Sequence, residues 1–222
     1  MQRKIPAHGD SRSAVTAAVK FTGRDVQPDA TCPPFMKMHP SFPVLATPRL
    51  RLRQIRSSDA EALFAIHSDA EWMKWYGVDP VTELRQADQL AELFASWFPA
   101  GTGYRWGLER LADRRLIGTC GLFRWNKSWH NCVIGYEVAR DCQGQGYMRE
   151  ALTAVLDYGF DVMHLHRIQA ETHPDNIASI GLATRLGFRF EGVHREQAFW
   201  AGRYHDLNCY SLLAREWHQS AA

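Results

Sequence analysis

No apolar run in this sequence approaches the roughly 20 residues that a bilayer-spanning helix needs, so the chain reads as soluble, with no membrane partner. Cysteine is scarce and unpaired in pattern. Cys32, Cys120, Cys132, Cys142 and Cys209 are odd in number, form no C-x-x-C and have no histidine at metal-ligand spacing. This argues against a disulfide scaffold, and free thiols in a reducing cytoplasm are expected. The histidines are scattered, and His164 and His166 alternate without acidic or thiol companions, so no bound metal is expected. An excess of one charge is also missing. The formal net charge is +2, Lys and Arg are interleaved with Asp and Glu, and no basic stripe marks a nucleic-acid partner. Internal repeats are absent too.

What is present suits one well-cored globular domain: 222 residues, 45% of them hydrophobic and 23% charged. Residues 1–40 stand apart. They are rich in Ala, Ser, Thr and Pro, show no sustained periodicity and lack the apolar core of a secretory signal. Arg3, Lys4, Arg12, Lys20 and Arg24 would suit a transit peptide, but Asp10, Asp25 and Asp29 count against one. This stretch is read as a disordered extension or an upstream start-codon choice, with Met36 and Met38 just ahead of the patterned region. The domain proper is expected over residues 41–222.

From Pro48 to Arg53 apolar and charged residues alternate, the period-two pattern of a half-buried strand. Ser58-Asp59-Ala60-Glu61 offers a helix start, and Thr82 is the expected cap of a second helix running to Trp97, stopped by Pro99-Ala100-Gly101. Three strands follow, Tyr104 to Glu109, Leu116 to Phe123 and Cys132 to Val138. A helix is expected from about Gly146 to Val162, a strand from Arg167 to Thr172, and a helix from Asn176 to Leu186 that ends at Gly187. Phe188 to Phe199 and Tyr204 to Leu213 close the chain as a hairpin around Gly202. The order predicts an α/β (α+β) single domain, with a mixed, mostly antiparallel sheet of about seven strands and helices on both faces.

Three segments carry chemistry. Gln143-Gly144-Gln145-Gly146-Tyr147-Met148 is a glycine turn that opens a helix, where unpaired N–H groups and the helix dipole suit a phosphate or pyrophosphate. Two glycines alone favour the reading of an ordinary turn. A dinucleotide fingerprint fits poorly, because Arg149 stands where its third glycine belongs. His173-Pro174-Asp175-Asn176-Ile177-Ala178-Ser179 runs from a strand end into a helix, and by itself reads as capping by Asn176. Ile134-Gly135-Tyr136-Glu137-Val138 places one carboxylate in an apolar strand. If partly buried, Glu137 would have its pKa raised by desolvation and become a better base; the other reading is a surface-facing side chain.

Together these segments resemble the GNAT superfamily. The resemblance is carried in order by Arg49-Leu50-Arg51-Leu52-Arg53, Asp59-Ala60, Leu116-Ile117-Gly118-Thr119-Cys120-Gly121, Ile134-Gly135-Tyr136-Glu137 and Gln143 to Ala151. His166-Arg167-Ile168, Asn176 with Ser179, Leu186-Gly187-Phe188 with Glu191-Gly192, and Gly202-Arg203-Tyr204-His205-Asp206 continue it. It covers roughly residues 45–217 and is closest to the ribosomal-protein N-terminal (Rim-type) acetyltransferases. One departure is Met148, which stands where the acyl-CoA loop of the family has Gly or Ala.

The resemblance implies acetyl-CoA as co-substrate. Its pantetheine arm would lie between the strand near Val138 and the one at Arg167–Thr172, and its pyrophosphate on Gln143, Gly144, Gln145, Gly146, Tyr147 and Met148. It further implies Asn176 holding a pantetheine amide, Ser179 near the sulfur as acid, and direct attack of an amine on the thioester. Glu137 is the candidate base and Glu171, on the neighbouring strand, the runner-up. A protein N-terminal α-amino group is the expected acceptor, with a polyamine or antibiotic amine as the alternative; Asp69, Glu71 and Asp79 keep the latter open. Trp72, Trp75, Tyr76, Trp125, Trp129 and Trp200 could line an acceptor pocket or simply pack. A non-catalytic acyl-CoA-binding module and a nucleotide-binding oxidoreductase are the competing readings, and monomer and homodimer both stay open.

Overall fold

The structure, a computed structural model, describes residues 41–220, so the expectation for residues 1–40 lies outside the described residues. The alternation near Arg51 forms strand β2 (Leu50–Gln54), with Leu50 and Leu52 fully buried; the two-residue β1 (Leu45–Ala46) pairs antiparallel beside it. Strands β3 (Tyr104–Arg110), β4 (Leu116–Asn126) and β5 (Asn131–Val138) follow as an antiparallel meander. β6 (Arg167–Thr172) joins β5 in parallel, and the hairpin β7 (Arg189–Trp200) and β8 (Arg203–Leu213) completes the sheet through β8. The order is β1-β2-β3-β4-β5-β6-β8-β7. The described residues form an eight-stranded sheet against about seven strands expected, the extra one being β1, which is too short to show a period.

The helices are α1 (Ala60–His67), α2 (Ala70–Met73), α3 (Leu84–Ala100), α4 (Tyr147–Asp157), α5 (Ile177–Arg185) and α6 (Ala214–Ser220). Thr82 is not the cap of α3. Glu83 occupies that position, and Gln86 Oε1 accepts from the backbone N–H groups of Thr82 and Glu83 at 2.6 and 3.0 Å. Pro99 sits inside the last turn, and it is Gly101, left-handed at φ 65°, that ends the helix. The helix expected to reach Val162 leaves α-geometry after Asp157 and finishes as a π-turn, Tyr158–Val162.

Strand alternation divides the apolar residues between two faces. Tyr104, Trp106, Leu108, Cys120, Leu122, Cys132 and Ile134 meet Met148, Ala151, Leu152 and Val155 of α4, and Ala183 of α5, in the main core. Ile55, Leu63, Ala87, Ala91, Phe94 and Leu116 form a smaller core under α1 and α3. Gly107 marks the second face, since a Cβ there would meet Leu116 and Ile55 at 2.7 and 3.2 Å. Cys120, Cys132, Cys142 and Cys209 are buried free thiols.

Candidate active site

The parallel pairing of β5 with β6 runs only from Asn131 opposite Arg167 to Ile134 opposite Ala170. Beyond that point β5 continues to Val138 and β6 to Thr172, each still paired on its outer side, to β4 and to β8. Gly135 to Val138 thus face a gap where a neighbouring strand would have been. Gly135 O already accepts from Arg105 Nη1 at 2.9 Å; for the backbone groups beyond it that face the gap, an extended, amide-bearing ligand arm can supply partners.

At the end of the gap the chain makes a short 3-10 turn, Arg140–Cys142, and then the glycine turn. Gly144 and Gly146 have φ of 68° and 79°. Gly146 is the N-cap of α4, so the first amides of that helix point outward from a left-handed turn. A Cβ on Gly144 would meet nothing within 4 Å, and one on Gly146 only Arg49 Nη2 at 3.5 Å. The surface over the turn is therefore open to a ligand. Gln143 Nε2 is buried there without a hydrogen-bond partner, a donor waiting for an acceptor. Gln145 turns away, its Nε2 bonding Asp141 O at 2.8 Å, while Arg49 donates to Gln145 O at 2.9 Å and lies over the Tyr147 ring. Met148 is 8% exposed and packs in the main core, so the bulkier residue leaves the helix N-terminus clear.

Across the gap, Asn176 caps α5 as its position suggested: Oδ1 accepts from Ser179 N at 3.1 Å. This turns Ser179 toward β5, where its Oγ lies 2.8 Å from the Tyr136 hydroxyl.

Glu137 departs from expectation. It is 4% exposed, and Arg105, at 3%, forms an ion pair with it. Thr119 donates to Oε1, Tyr76 donates to Oε2 at 2.8 Å, and His67 Nε2 lies 3.4 Å from Oε1. Burial pushes the carboxyl up, but the Arg105 guanidinium and the hydrogen-bonding neighbours outweigh it and hold the pKa down at about 2. The sequence supplied only the desolvation half of this balance, so the expected rise is a fall. A carboxylate already saturated with donors is not poised to take a proton.

Glu137 and Ser179 also approach β5 from opposite faces, since Glu137 points to α1 and α3 while Tyr136, next along the strand, points to α5. Glu171, the runner-up, lies on β6 and accepts from Gln169 Nε2 at 3.0 Å, with Arg124 at 3.4 Å.

Sequence reasoning missed Arg105, Thr119 and His67, because β3, β4 and α1 are far from Glu137 in the chain. Nor did it bring together His173 and His205, which meet at 3.3 Å. Trp75 stacks on His173 with ring centroids 4.3 Å apart, and Trp200 stacks on His205 and donates to Lys74 O at 3.0 Å. Most of the singled-out aromatics therefore pack. Trp125 lies against Tyr104, and Trp129 is 74% exposed. Beside Tyr76 a pocket of about 250 Å³ is lined by Met73, Val78, Val81, Leu90 and Leu93, with Asp79, Gln86 and Gln89 also in its wall.

The chain matches the profile described as acetyltransferase (GNAT) domain over residues 49–189. It is 38% identical over 172 residues to the uncharacterized N-acetyltransferase YoaA of Bacillus subtilis (strain 168), covering 78% of this chain and 97% of that protein. It is 29% identical to the [ribosomal protein uS5]-alanine N-acetyltransferase of Escherichia coli (strain K12), covering 78% of this chain and 92% of the relative. A solved spermidine N-acetyltransferase from Vibrio cholerae, in complex with CoA and spermine, superposes with a TM-score of 0.67 at 25% identity, covering 77% of this chain and 98% of the other. With a sheet that parts between β5 and β6 and a glycine turn at the end of the gap, this chain belongs to the GNAT family of N-acetyltransferases.

Proposed function

We propose that the protein acetylates the free α-amino group of a protein N-terminus in the cytoplasm, by direct attack of the amine on acetyl-CoA between β5 and β6. The choice of acceptor rests on the loop carboxylates. Asp69 accepts from Trp72 N and lies 3.5 Å from Arg140; Glu71 pairs with Lys74; Asp79 accepts from Ala201 N at 2.8 Å. A polyamine brings several ammonium groups and calls for uncommitted carboxylates, whereas a peptide N-terminus brings one amine. The pocket beside Tyr76, mostly apolar but with Asp79 in its wall, has room for a peptide side chain. The relative named for uS5-alanine acetylation supports this acceptor.

In this reading the amides over Gly144 to Met148, with Gln143 Nε2, take the pyrophosphate. The backbone near Val138 takes the pantetheine amides. Asn176 has spent its oxygen on the α5 cap, which leaves Nδ2 for a pantetheine carbonyl. The attacking nitrogen loses its proton to water in the cleft, oriented by Glu171. As the new C–N bond forms and the C–S bond breaks, the Ser179 hydroxyl donates to the departing sulfur, which has a pKa of about 8.5 as the free thiol. Glu137 stays ionised and anchors Arg105 and Tyr76 below the acceptor side. Alignment of the two substrates in one gap supplies a large part of the rate.

The test is thiol release from acetyl-CoA with a panel of acceptors. Turnover is expected with peptides bearing free Ala, Ser or Met N-termini, and not with spermidine or an aminoglycoside. Preference for the polyamine would overturn the acceptor assignment and leave the chemistry intact.

A further inference from the structure

We infer that Tyr136 is a positioning residue that directs the Ser179 hydroxyl at the sulfur of bound CoA. This rests on the reading of Ser179 given above and adds the group that makes a serine usable there.

A serine hydroxyl carries one hydrogen, and it can stabilise a departing thiolate only if that hydrogen is not spent elsewhere. The Tyr136 oxygen lies 2.8 Å from Ser179 Oγ and 3.4 Å from the Ser179 carbonyl. The shorter distance is the stronger bond, and in a phenol–alcohol pair the phenol is the more acidic partner and donates. Tyr136 therefore fills a lone pair of Ser179 Oγ and leaves the serine hydrogen free.

Both ends of this bond are fixed. Ser179 is held by the Asn176 cap in the first turn of α5. Tyr136 sits on β5 in the stretch that faces the gap, with its ring against the main core. Burial pushes the Tyr136 phenol above its ordinary value, against the opposing pull of the Ser179 hydrogen bond, so it remains a donor throughout the working pH range. No proton leaves Tyr136 in this scheme. A donor into Oγ also makes the serine hydrogen a better donor in turn, since chained hydrogen bonds polarise one another.

The experiment follows the thiol of bound CoA by the ultraviolet absorbance of its thiolate as pH is raised, which needs no acceptor. Wild type, Ser179→Ala, Tyr136→Phe and the double variant are compared, with thermal melting as the check on folding. In the wild type the bound thiol is expected to titrate about one unit below free CoA, a tenfold change in acidity. Ser179→Ala should abolish that shift, Tyr136→Phe should remove most of it, and the double variant should match Ser179→Ala alone. If Ser179→Ala moves the thiol and Tyr136→Phe does not, the inference fails while the reading of Ser179 stands. Effects that add in the double variant also overturn it, because Tyr136 would then act by another route. A wild-type thiol that titrates like free CoA removes both.

Discussion

Two adjacent residues of β5 face opposite ways and do different work. Glu137 is held by Arg105, Thr119 and Tyr76 under the α1–α3 face, while Tyr136 meets Ser179 on the α5 face. Glu137→Gln leaves the Arg105 guanidinium buried without its counter-charge, so a loss of about 3–5 kcal/mol is expected in urea unfolding. The folded fraction should keep the wild-type pH–rate profile; loss of its rise with pH would return the base role to Glu137. At the glycine turn, Gly146 is left-handed at φ 79°, and a Cβ there would meet only the Arg49 guanidinium, at 3.5 Å. Gly146→Val places a β-branched side chain in a conformation that costs an L-residue about 1–2 kcal/mol and covers the amides. Acetyl-CoA affinity should fall by calorimetry, and an unchanged Kd would remove the turn from the cofactor site. The turn's place at a helix start was plain in the sequence, as was the Asn176 cap. The sign of the Glu137 shift was not, because the opposing charge comes from β3.

Elements meet most tellingly where the β7–β8 tip touches the loop around α2. Trp200 donates to Lys74 O, Ala201 N donates to Asp79, and the His173–His205 pair links β6 to the hairpin. Asp175 N donates to His173 Nδ1, so His173 donates from Nε2 to His205 Nδ1, and His205 Nε2–H points to Trp200 O. This direction requires both rings neutral. Burial lowers the His173 pKa below its usual 6.5, so the folded state binds fewer protons there than the unfolded chain. Its contribution to stability is complete above about pH 6.5 and declines as pH falls toward the lowered value. Tryptophan fluorescence should report loosening of the tip below that pH, and His173→Gln should remove the transition. Removing the Asn176 cap by Asn176→Ala should cost about 1 kcal/mol in chemical denaturation. Long elements such as α3 and β4 were legible from their periods. The short β1, α2 and α6 were not, because a run of two to seven residues owes its form to what it packs on.

At the scale of the molecule, acid stability follows from the carboxylates that the fold pairs. Glu137 falls from 4.5 to about 2, and Glu191, beside Arg167 and the Ser211 hydroxyl, does likewise. In each case the folded pKa lies below the unfolded one, so the stabilisation is present above pH 4.5 and is lost as pH drops toward 2. The steepest decline in urea midpoint should fall in that window, and Glu137→Gln should make it shallower. A decline of equal slope in the variant would assign the acid sensitivity to other pairs.

The sequence by itself determined the order of the long elements, the glycine turn before α4, the cap before α5 and the family resemblance. Those properties are local or are carried by residue order, and the chain states them directly. Only the tertiary structure decided that β5 and β6 part after Ile134 and Ala170, that Arg105 neutralises Glu137, and that the loop carboxylates are already engaged. Each of these depends on groups brought together from distant parts of the chain, and electrostatic balance at a buried site is set by neighbours in space.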